Sequence, residues 1–339
     1  MEVVINKNET FEPAGRYDRV ECRGSARIKG ALEATEVVCK GKLEAEELFV
    51  VRVEARGLKC RRIRARELIT DFLEAGTVEV ERAYIRGPAR VSSSIKAVEV
   101  RVEGSLSCAA LEAKEAMISG SFRALKVDVK HLEVKGSLEV DEGRIDRASV
   151  GGSAKLGNCE ILGIRVGGTL RVTGSTNIGE AETGMAEVTG RLTGGLLKVD
   201  EVLKVGGDVR VRTLKVGGAL KVSGSLSAEE AHVSVKGKGR LAGGRIIVVG
   251  EATEVEGEEI QLINARVSKV IGGRVRVRDS SVRVINAVEV EVMGRSRVSQ
   301  IAAEKVYVAG GMVEKVYYTE RLFVSPEAQV KWEKKVASL

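Results

Sequence analysis

Aromatic residues and proline are scarce in this chain, and both shortages limit the folds that it can adopt. Of its 339 residues only 3% are Phe, Trp or Tyr and only 3 are Pro, and no aromatic residue lies between Phe122 and Tyr307. Globular cores normally bury aromatic side chains as large apolar anchors. Their absence over so long a stretch indicates a narrow core of constant cross-section that accepts only aliphatic side chains.

Long apolar runs and closely spaced cysteines are missing as well. Because no run of about 18 apolar residues occurs, the sequence predicts no transmembrane helix. Residues 1–7 lack the basic-then-apolar order of a secretory signal, so we expect a cytoplasmic protein, free or associated with a membrane surface. The wide spacing of the five cysteines predicts reduced thiols rather than a zinc or thioredoxin-type site. They are Cys22, Cys39, Cys60, Cys108 and Cys159.

Glycine, by contrast, is abundant, and the 39 glycines mark a repeat. Between residues 104 and 172 a glycine followed by Ser or Thr recurs every 16 residues, at Gly104, Gly120, Gly136, Gly152 and Gly168. Counted from each of the first four glycines, positions 2, 4, 9, 12 and 14 are apolar or small, as are positions 2 and 4 after Gly168, and the positions between them are mostly polar or charged. A spacing of two is the period of a β-strand with alternate side chains inward.

This pattern predicts three short strands in each repeat. Positions 2 and 4 form one inward pair, position 9 belongs to the second strand, and positions 12 and 14 form the last pair. Corners are expected near positions 5–8, near positions 10–11 and at the glycine, where the missing Cβ permits a bend. The predicted fold class is all-β: a right-handed parallel β-helix, or triangular solenoid, of about 16–17 residues per coil.

The repeat continues on both sides with slippage of a residue or two. Further marker glycines are Gly24, Gly41, Gly57, Gly87, Gly190, Gly207, Gly224, Gly239, Gly257, Gly273, Gly294 and Gly311. The sequence therefore predicts an N-terminal segment or cap over 1–19, a continuous solenoid over 20–324 and a C-terminal helical cap or tail over 325–339. An irregular junction, if there is one, is expected at 174–190, where bulky apolar residues are few.

Residues 325–339 carry the signals of a short helix. Ser325 and Pro326 are typical of an N-cap and a first helical turn. One face of this helix would carry Ala328, Trp332, Val336 and Leu339. Such a helix would shield the strand edges of the last coil; a tail that binds a partner or touches a membrane is the alternative.

Aromatic residues cluster towards the two ends of the predicted solenoid. Uncapped terminal coils expose unpaired backbone groups, which can pair with another copy of the chain. The candidate residues for end-to-end assembly or capping are Phe11, Tyr17, Val20, Tyr317, Tyr318, Phe323 and Trp332.

Residue types that carry catalysis are not arranged for it. The two histidines, His131 and His232, are far apart in the sequence, and Asp141 and Asp146 share a repeat but fall in or beside corners. We therefore expect a protein that is not an enzyme, with no cofactor, no metal and no small-molecule substrate.

Two arginine clusters could form a basic surface on a chain of net charge +7. They comprise Arg61, Arg62, Arg64 and Arg66 in one place and Arg274, Arg276 and Arg278 in another. Attraction to anionic lipid or nucleic acid is one interpretation. We favour a solvated face, because Glu44, Glu46 and Glu47 precede the first cluster in a neighbouring coil. Nucleic acid is not an expected partner, since single-strand binding usually needs aromatic stacking platforms.

The motif V/I-x-G-x-L-x-A-x-x-V resembles the bactofilins, a family of polymer-forming cytoskeletal proteins. Residues 28–34, 41–48 and 222–233 carry it. The resemblance implies a right-handed triangular β-helix that assembles end to end into filaments without nucleotide, as a scaffold that is often near a membrane. Two features depart from the family: the chain is longer than the usual bactofilin core, and it lacks proline-rich tails and an evident hydrophobic N-terminal anchor.

The expected partners follow from this resemblance. Further copies of the chain are the first, and a membrane surface or other proteins are further candidates. The alternative function is a non-polymerising solenoid adaptor that presents a charged surface to anionic lipid, nucleic acid or protein.

Overall fold

The computed structural model describes residues 1–217, 219–222, 225–233, 237–238 and 240–338, with side chains left out for 219, 221–225, 227 and 230–253. In that part the chain is 84% strand, contains no helix and forms a parallel β-solenoid of about 19 turns. The predicted all-β solenoid is therefore confirmed. Two residues of the third motif copy, Ser223 and Gly224, and the marker Gly239 lie outside the described residues.

The structure contains twenty strands, several of which run around more than one side of a turn. They are β1 (Glu2–Ile5), β2 (Glu9–Phe11), β3 (Arg16–Cys22), β4 (Ala26–Ile85), β5 (Ala89–Val102), β6 (Leu106–Ile118), β7 (Phe122–Val134), β8 (Leu138–Val150), β9 (Ala154–Val172), β10 (Ser175–Val188), β11 (Arg191–Val205), β12 (Asp208–Val216), β13 (Ala219–Val222), β14 (Ser225–Val233), β15 (Gly237–Lys238), β16 (Arg240–Arg278), β17 (Ser281–Met293), β18 (Arg297–Val308), β19 (Met312–Val324) and β20 (Gln329–Lys335).

The chain divides into two compact units, Met1–Gly168 and Thr169–Leu339. In the first unit β1 lies on β3, β2 and β3 lie on β4, and the later strands stack in sequence order, all parallel. In the second unit β10 to β14 stack in the same way, as do β16 to β20. Like positions of successive turns therefore form columns.

Each turn of the first unit's regular part contributes three pairs of buried side chains. In β7 the pairs are Phe122 and Ala124, Val127 and Val129, and Leu132 and Val134. The spacing is two within a pair and three between the pairs of one turn, where two outward residues form each corner, and it is four from Val134 to Leu138 of the next turn. Predicted inward positions 2, 4, 9, 12 and 14 are thus buried.

One inward column was missed by the sequence prediction. Position 7, which was placed in a corner, points inward: Leu111, Val127 and Cys159 are buried there, and Gly143 occupies the same column. The corner is therefore limited to positions 5 and 6. Each of the three sides has two inward residues, so the second side is as complete as the others.

The predicted C-terminal helix is wrong. Residues 329–335 form β20, which lies parallel on β19 with Val330 beside Val313 and Trp332 beside Lys315. A turn closed by the Ala328 N–H donating to the Ser325 carbonyl, at 3.1 Å, leads into it. The strand is more favourable than a helix here because it supplies hydrogen-bond partners to the open backbone groups of β19. A helix laid over that edge would leave those groups without partners. Leu339, the last residue of the proposed helical face, lies outside the described residues.

The segment 174–190 contains β10, whose pairing with β11 shifts register between Thr183 and Met185. Thr176 and Thr183 are buried in this strand at inward positions. The Thr183 hydroxyl donates to the Met185 carbonyl at 2.8 Å. Two threonines thus share the core of this turn with Ile178, Ala181, Ala186 and Val188, and the hydroxyl of Thr183 has a backbone partner.

Candidate functional site: the open ends and the charged faces

The N-terminal end of the first unit is an open strand edge. Three short segments form it in chain order: β1, β2 and the start of β3 at residues 16–17. Each pairs along one edge with the turn below it, and in the described part of the chain no strand covers the opposite edge. Val4 is 50% exposed beside this edge. The backbone groups that point away from the solenoid are therefore available to another strand.

The C-terminal end of the second unit is also open. Strand β20 covers Met312 to Tyr318 of β19 but stops before residues 321–324, which pair only with β18 among the described residues. Phe323 is 55% exposed there and Trp332 is 43% exposed. Lysines and a nearby proline can blunt an edge strand, and β20 contains Lys331, Lys334 and Lys335.

The aromatic residues predicted for end-to-end assembly have different surroundings. Tyr17 and Val20 are buried, Val20 behind β1, so neither is a surface contact. Phe11 is half-buried and packs edge-on against Tyr17, with ring centroids 5.6 Å apart. The Tyr17 hydroxyl accepts a hydrogen bond from the Ala14 N–H at 3.1 Å. This cluster stabilises the first turn from inside.

At the other end the aromatic residues are more accessible. Tyr317 and Tyr318 are half-buried, and Tyr317 packs edge-on against Trp332 at a centroid distance of 5.1 Å. Phe323 points outward and makes no aromatic contact among the described residues. Of the seven candidates, Phe323 and Trp332 are thus the best placed to meet another molecule.

The predicted basic surface is neutralised by carboxylates on neighbouring strands and turns. The shortest ion-pair distances are Arg61 to Glu47 2.5 Å, Arg62 to Glu79 3.5 Å, Arg64 to Glu79 3.1 Å, Arg66 to Glu81 3.0 Å, Arg274 to Glu289 3.3 Å, Arg276 to Glu291 3.1 Å and Arg278 to Asp279 3.6 Å. Each of these arginines has a carboxylate within 4.0 Å, so neither cluster is by itself a purely cationic patch.

Opposite charges also alternate along one outward column of the first unit, which we call the charge ladder. It consists of Arg27, Glu44, Lys59, Glu74 and Arg90, and it lines a groove of about 930 Å³. Arg27 bonds Glu44 at 2.8 Å, Lys59 bonds Glu74 at 2.9 Å, and Glu74 is the register partner of Arg90. Hydrogen bonds from Lys42 and then Arg27 lower the pKa of Glu44 to about 2. The charged side chains that line this groove are thus paired with one another.

A second groove, of about 960 Å³, follows one corner of the second unit. The corner is built from left-handed residues in successive turns: Asn264, Asp279 and Gly294 have φ of 48°, 50° and 61°. Beside them Ser280 and Ser296 are buried, and the Ser296 hydroxyl donates to the Met293 carbonyl at 2.6 Å. Arg295 and Arg297 line the same groove. Neither has a carboxylate within 4.0 Å among the described residues. Sequence reasoning missed them because they are separated by serine and show no cluster.

The buried cysteines include one stacked pair. Cys22 and Cys39 are register partners, and both thiols are free. The interaction between the two neighbouring thiols raises the pKa of Cys22 and lowers the pKa of Cys39. Burial raises the pKa of Cys60 and of Cys108 to about 12. The thiols behave as small core residues in this environment.

In the part of the chain that is described, no three His, Cys, Asp or Glu side chains are placed to hold one metal ion. The described part of the chain also contains no helix that is long and apolar enough to cross a bilayer. No protein-family model, curated protein or solved structure matches the chain. The resemblance to bactofilins accordingly rests on the sequence motif alone.

Proposed function

We propose that this protein is a structural scaffold that assembles end to end into filaments without nucleotide. The observation that carries the proposal is the open strand edge at each end. Solenoid turns are held together by pairing with their neighbours, and a terminal turn lacks one neighbour. A second copy can supply it at the cost of little rearrangement, because the edge is already formed.

The arrangement of charge supports this function over binding along the sides. Many charged side chains on the solenoid faces are paired with residues of adjacent turns, as in the charge ladder and the first arginine cluster. The apolar side chains Val4 and Phe323 are exposed at the two ends, and Leu125 and Leu162, away from the ends, are exposed to a similar extent. Contacts between ends would bury Val4 and Phe323.

Electron microscopy of the purified protein over a range of concentrations tests the proposal. We expect filaments one solenoid wide that lengthen with protein concentration, with no added nucleotide or metal. Sedimentation of the same samples should show a critical concentration. Particles that stay monomeric at the highest soluble concentration would contradict the scaffold function.

A solenoid adaptor remains the second candidate, and the groove at the left-handed corner is the observation in its favour. Arg295 and Arg297 are two of the cations in that groove, beside Arg266, that could meet a phosphate group. In this case vesicles containing an anionic lipid should bind the protein in low salt and release it in high salt. The double variant Arg295→Gln/Arg297→Gln should lose that binding, whereas Arg64→Gln should keep it.

A further inference from the structure

Two cysteines of the first unit lie on adjacent turns inside the solenoid. Cys22 is the last residue of β3 and Cys39 lies in β4, and the two are register partners, as are Val20 and Val37 beside them. Both cysteine side chains are buried and both thiols are free. Stacking of the turns therefore brings together two thiols that are one full turn apart in the sequence.

The spacing of the backbone fits a covalent bond between these cysteines. Register partners on neighbouring strands are about 4.8 Å apart, and the Cα atoms of a disulfide lie between about 4.4 and 6.8 Å apart. Parallel strands in register also direct the two side chains to the same face of the sheet, so neither Cβ points away from the other. The two sulfur atoms can thus meet without a change of register.

The described residues around two other cysteines are different. Cys108 lies between Val91 and Ala124 in its column, and Cys159 has Gly143 as a register partner. Burial raises the pKa of Cys108 to about 12, and a thiol of such high pKa is a poor nucleophile. The pair of Cys22 and Cys39 is therefore chemically distinct from these two thiols.

Cys39 is the more reactive member of the pair. Its thiol donates a hydrogen bond to the Gly24 carbonyl at 3.2 Å, and Gly24 and Gly41 are half-buried residues without side chains. The interaction with Cys22 lowers the pKa of Cys39, and the backbone of Gly41 adds to this effect. The sulfur of Cys39 is thus one hydrogen bond away from a residue that solvent reaches.

We propose that Cys22 and Cys39 form a redox-active dithiol, which a hydroperoxide converts into a disulfide between two successive turns. The bond joins β3 to β4. The inference goes beyond the scaffold function and does not depend on filament formation.

Two steps account for every atom of the reaction with hydrogen peroxide. The Cys39 thiolate attacks one oxygen; a sulfur–oxygen bond forms, the oxygen–oxygen bond breaks, and the released hydroxide takes up the Cys39 proton as water. The Cys22 thiol then attacks the sulfenic acid on Cys39. A sulfur–sulfur bond forms, the sulfur–oxygen bond breaks, and the hydroxide leaves with the Cys22 proton as a second water. The dithiol is oxidised by two electrons and the peroxide is reduced.

The disulfide limits the separation of β3 from β4. In the reduced protein these strands are held by parallel pairing and by side-chain contacts such as the ion pair of Arg19 with Glu36 at 3.4 Å. A cross-link between residues one turn apart restricts the unfolded chain and stabilises the folded one. Oxidation should therefore stabilise this part of the first unit, and a dithiol reductant should reverse the effect.

Thiol counting on the folded protein tests the site. After treatment with hydrogen peroxide, followed by quenching and denaturation, the wild type should have lost two of its five free thiols. Peptide mapping should identify the lost pair as Cys22 and Cys39, joined by a disulfide. Dithiothreitol should restore all five thiols.

Cys22→Ala and Cys108→Ala are matched variants, since each removes one buried thiol. Without Cys22 the oxidised Cys39 has no partner, so dimedone should trap it as sulfenic acid and no disulfide should form. Cys108→Ala should still lose two thiols. Peroxide should raise the melting temperature of the wild type and of Cys108→Ala, but not that of Cys22→Ala.

The wild-type measurements can overturn the inference even if a variant does not fold. Retention of all five thiols by the folded protein, at a peroxide concentration that oxidises the chain in denaturant, would do so. A disulfide that contains Cys60, Cys108 or Cys159 would do so as well. A Cys22–Cys39 disulfide that leaves the melting temperature unchanged would contradict the restraint on β3 and β4. Because thiol counting needs no filaments, a failure of the scaffold function leaves this test intact.

Discussion

Glu44 shows how single residues hold adjacent turns together. It accepts hydrogen bonds from Arg27, one turn away, and from Lys42 on its own turn. Exposed ion pairs contribute little one at a time, but in this fold the same contact recurs turn after turn. Glu139, for example, bonds both Lys155 and Arg123 of the turns on either side.

Stability is expected to fall in acid because of these carboxylates. The pKa of Glu44 is lowered from 4.5 to about 2, and the pKa values of Glu74 and Glu139 are lowered by hydrogen bonds from Lys59 and Lys155 first. A depressed folded-state pKa stabilises the fold fully above the unfolded value and loses that effect as protons bind. The melting temperature should therefore decrease as pH falls from about 4.5 to about 2.

The variant Glu44→Gln provides the comparison for this prediction. It keeps the size of the side chain and removes one titrating group, so its melting temperature should depend less on pH in that window. An identical pH profile for Glu44→Gln and the wild type would show that the ion pairs of Glu44 contribute nothing to stability.

At the scale of the strand, close packing of turns makes one glycine irreplaceable. Gly143 lies in the inward column between Val127 and Cys159, with φ of 147°. A Cβ at this residue would lie 2.0 Å from the Val127 carbonyl oxygen. The backbone of two turns approaches too closely there for any side chain.

The substitution Gly143→Ala should accordingly destabilise the first unit, by about 1–3 kcal/mol. Gly163→Ala is the control, because a Cβ at Gly163 meets no atom within 4 Å. That change should be neutral or slightly stabilising through the unfolded chain. Denaturant titrations compare the two, and equal midpoints would disprove the strain at Gly143.

The same column explains what the sequence could and could not predict. Five inward positions were evident because aliphatic residues recur at them, whereas position 7 contains Gly143 and Cys159 and looks like a corner. The C-terminal strand was mistaken for a helix because the spacing of Ala328, Trp332 and Val336 fits a helical face. In the structure Val330 of this strand pairs with Val313, 17 residues earlier. Such pairing between turns leaves no local signal in the sequence.

The candidate site was predictable only in outline. The sequence indicates that the ends matter, but Tyr17 and Val20 are inside the first turn because β1 returns over β3. Val4 and Phe323, the apolar side chains exposed beside the two edges, lie in stretches of ordinary composition. A periodic pattern does not show which strand edges are left without a partner.

At the scale of the whole molecule, assembly and stability should be linked. A partner that binds the folded chain and not the unfolded one raises the melting temperature with its concentration. We therefore expect the melting temperature to rise between dilute and concentrated wild-type protein. A wild-type melting temperature independent of concentration, in samples that contain filaments, would contradict this coupling.

The charge ladder also disfavours misfolded states in which turns pair with the wrong neighbours. A segment that pairs one turn out of place brings Arg27 against Lys59 and Glu44 against Glu74, so a slip by an odd number of turns is penalised by repulsion. A slip by two turns again brings opposite charges together and is not penalised in this way. The ladder residues, however, are 17, 15, 15 and 16 positions apart in sequence, so the displaced turns differ in length from those they replace. The alternating sign of the charges and the unequal lengths of the turns together favour the correct register of each turn in a repetitive chain.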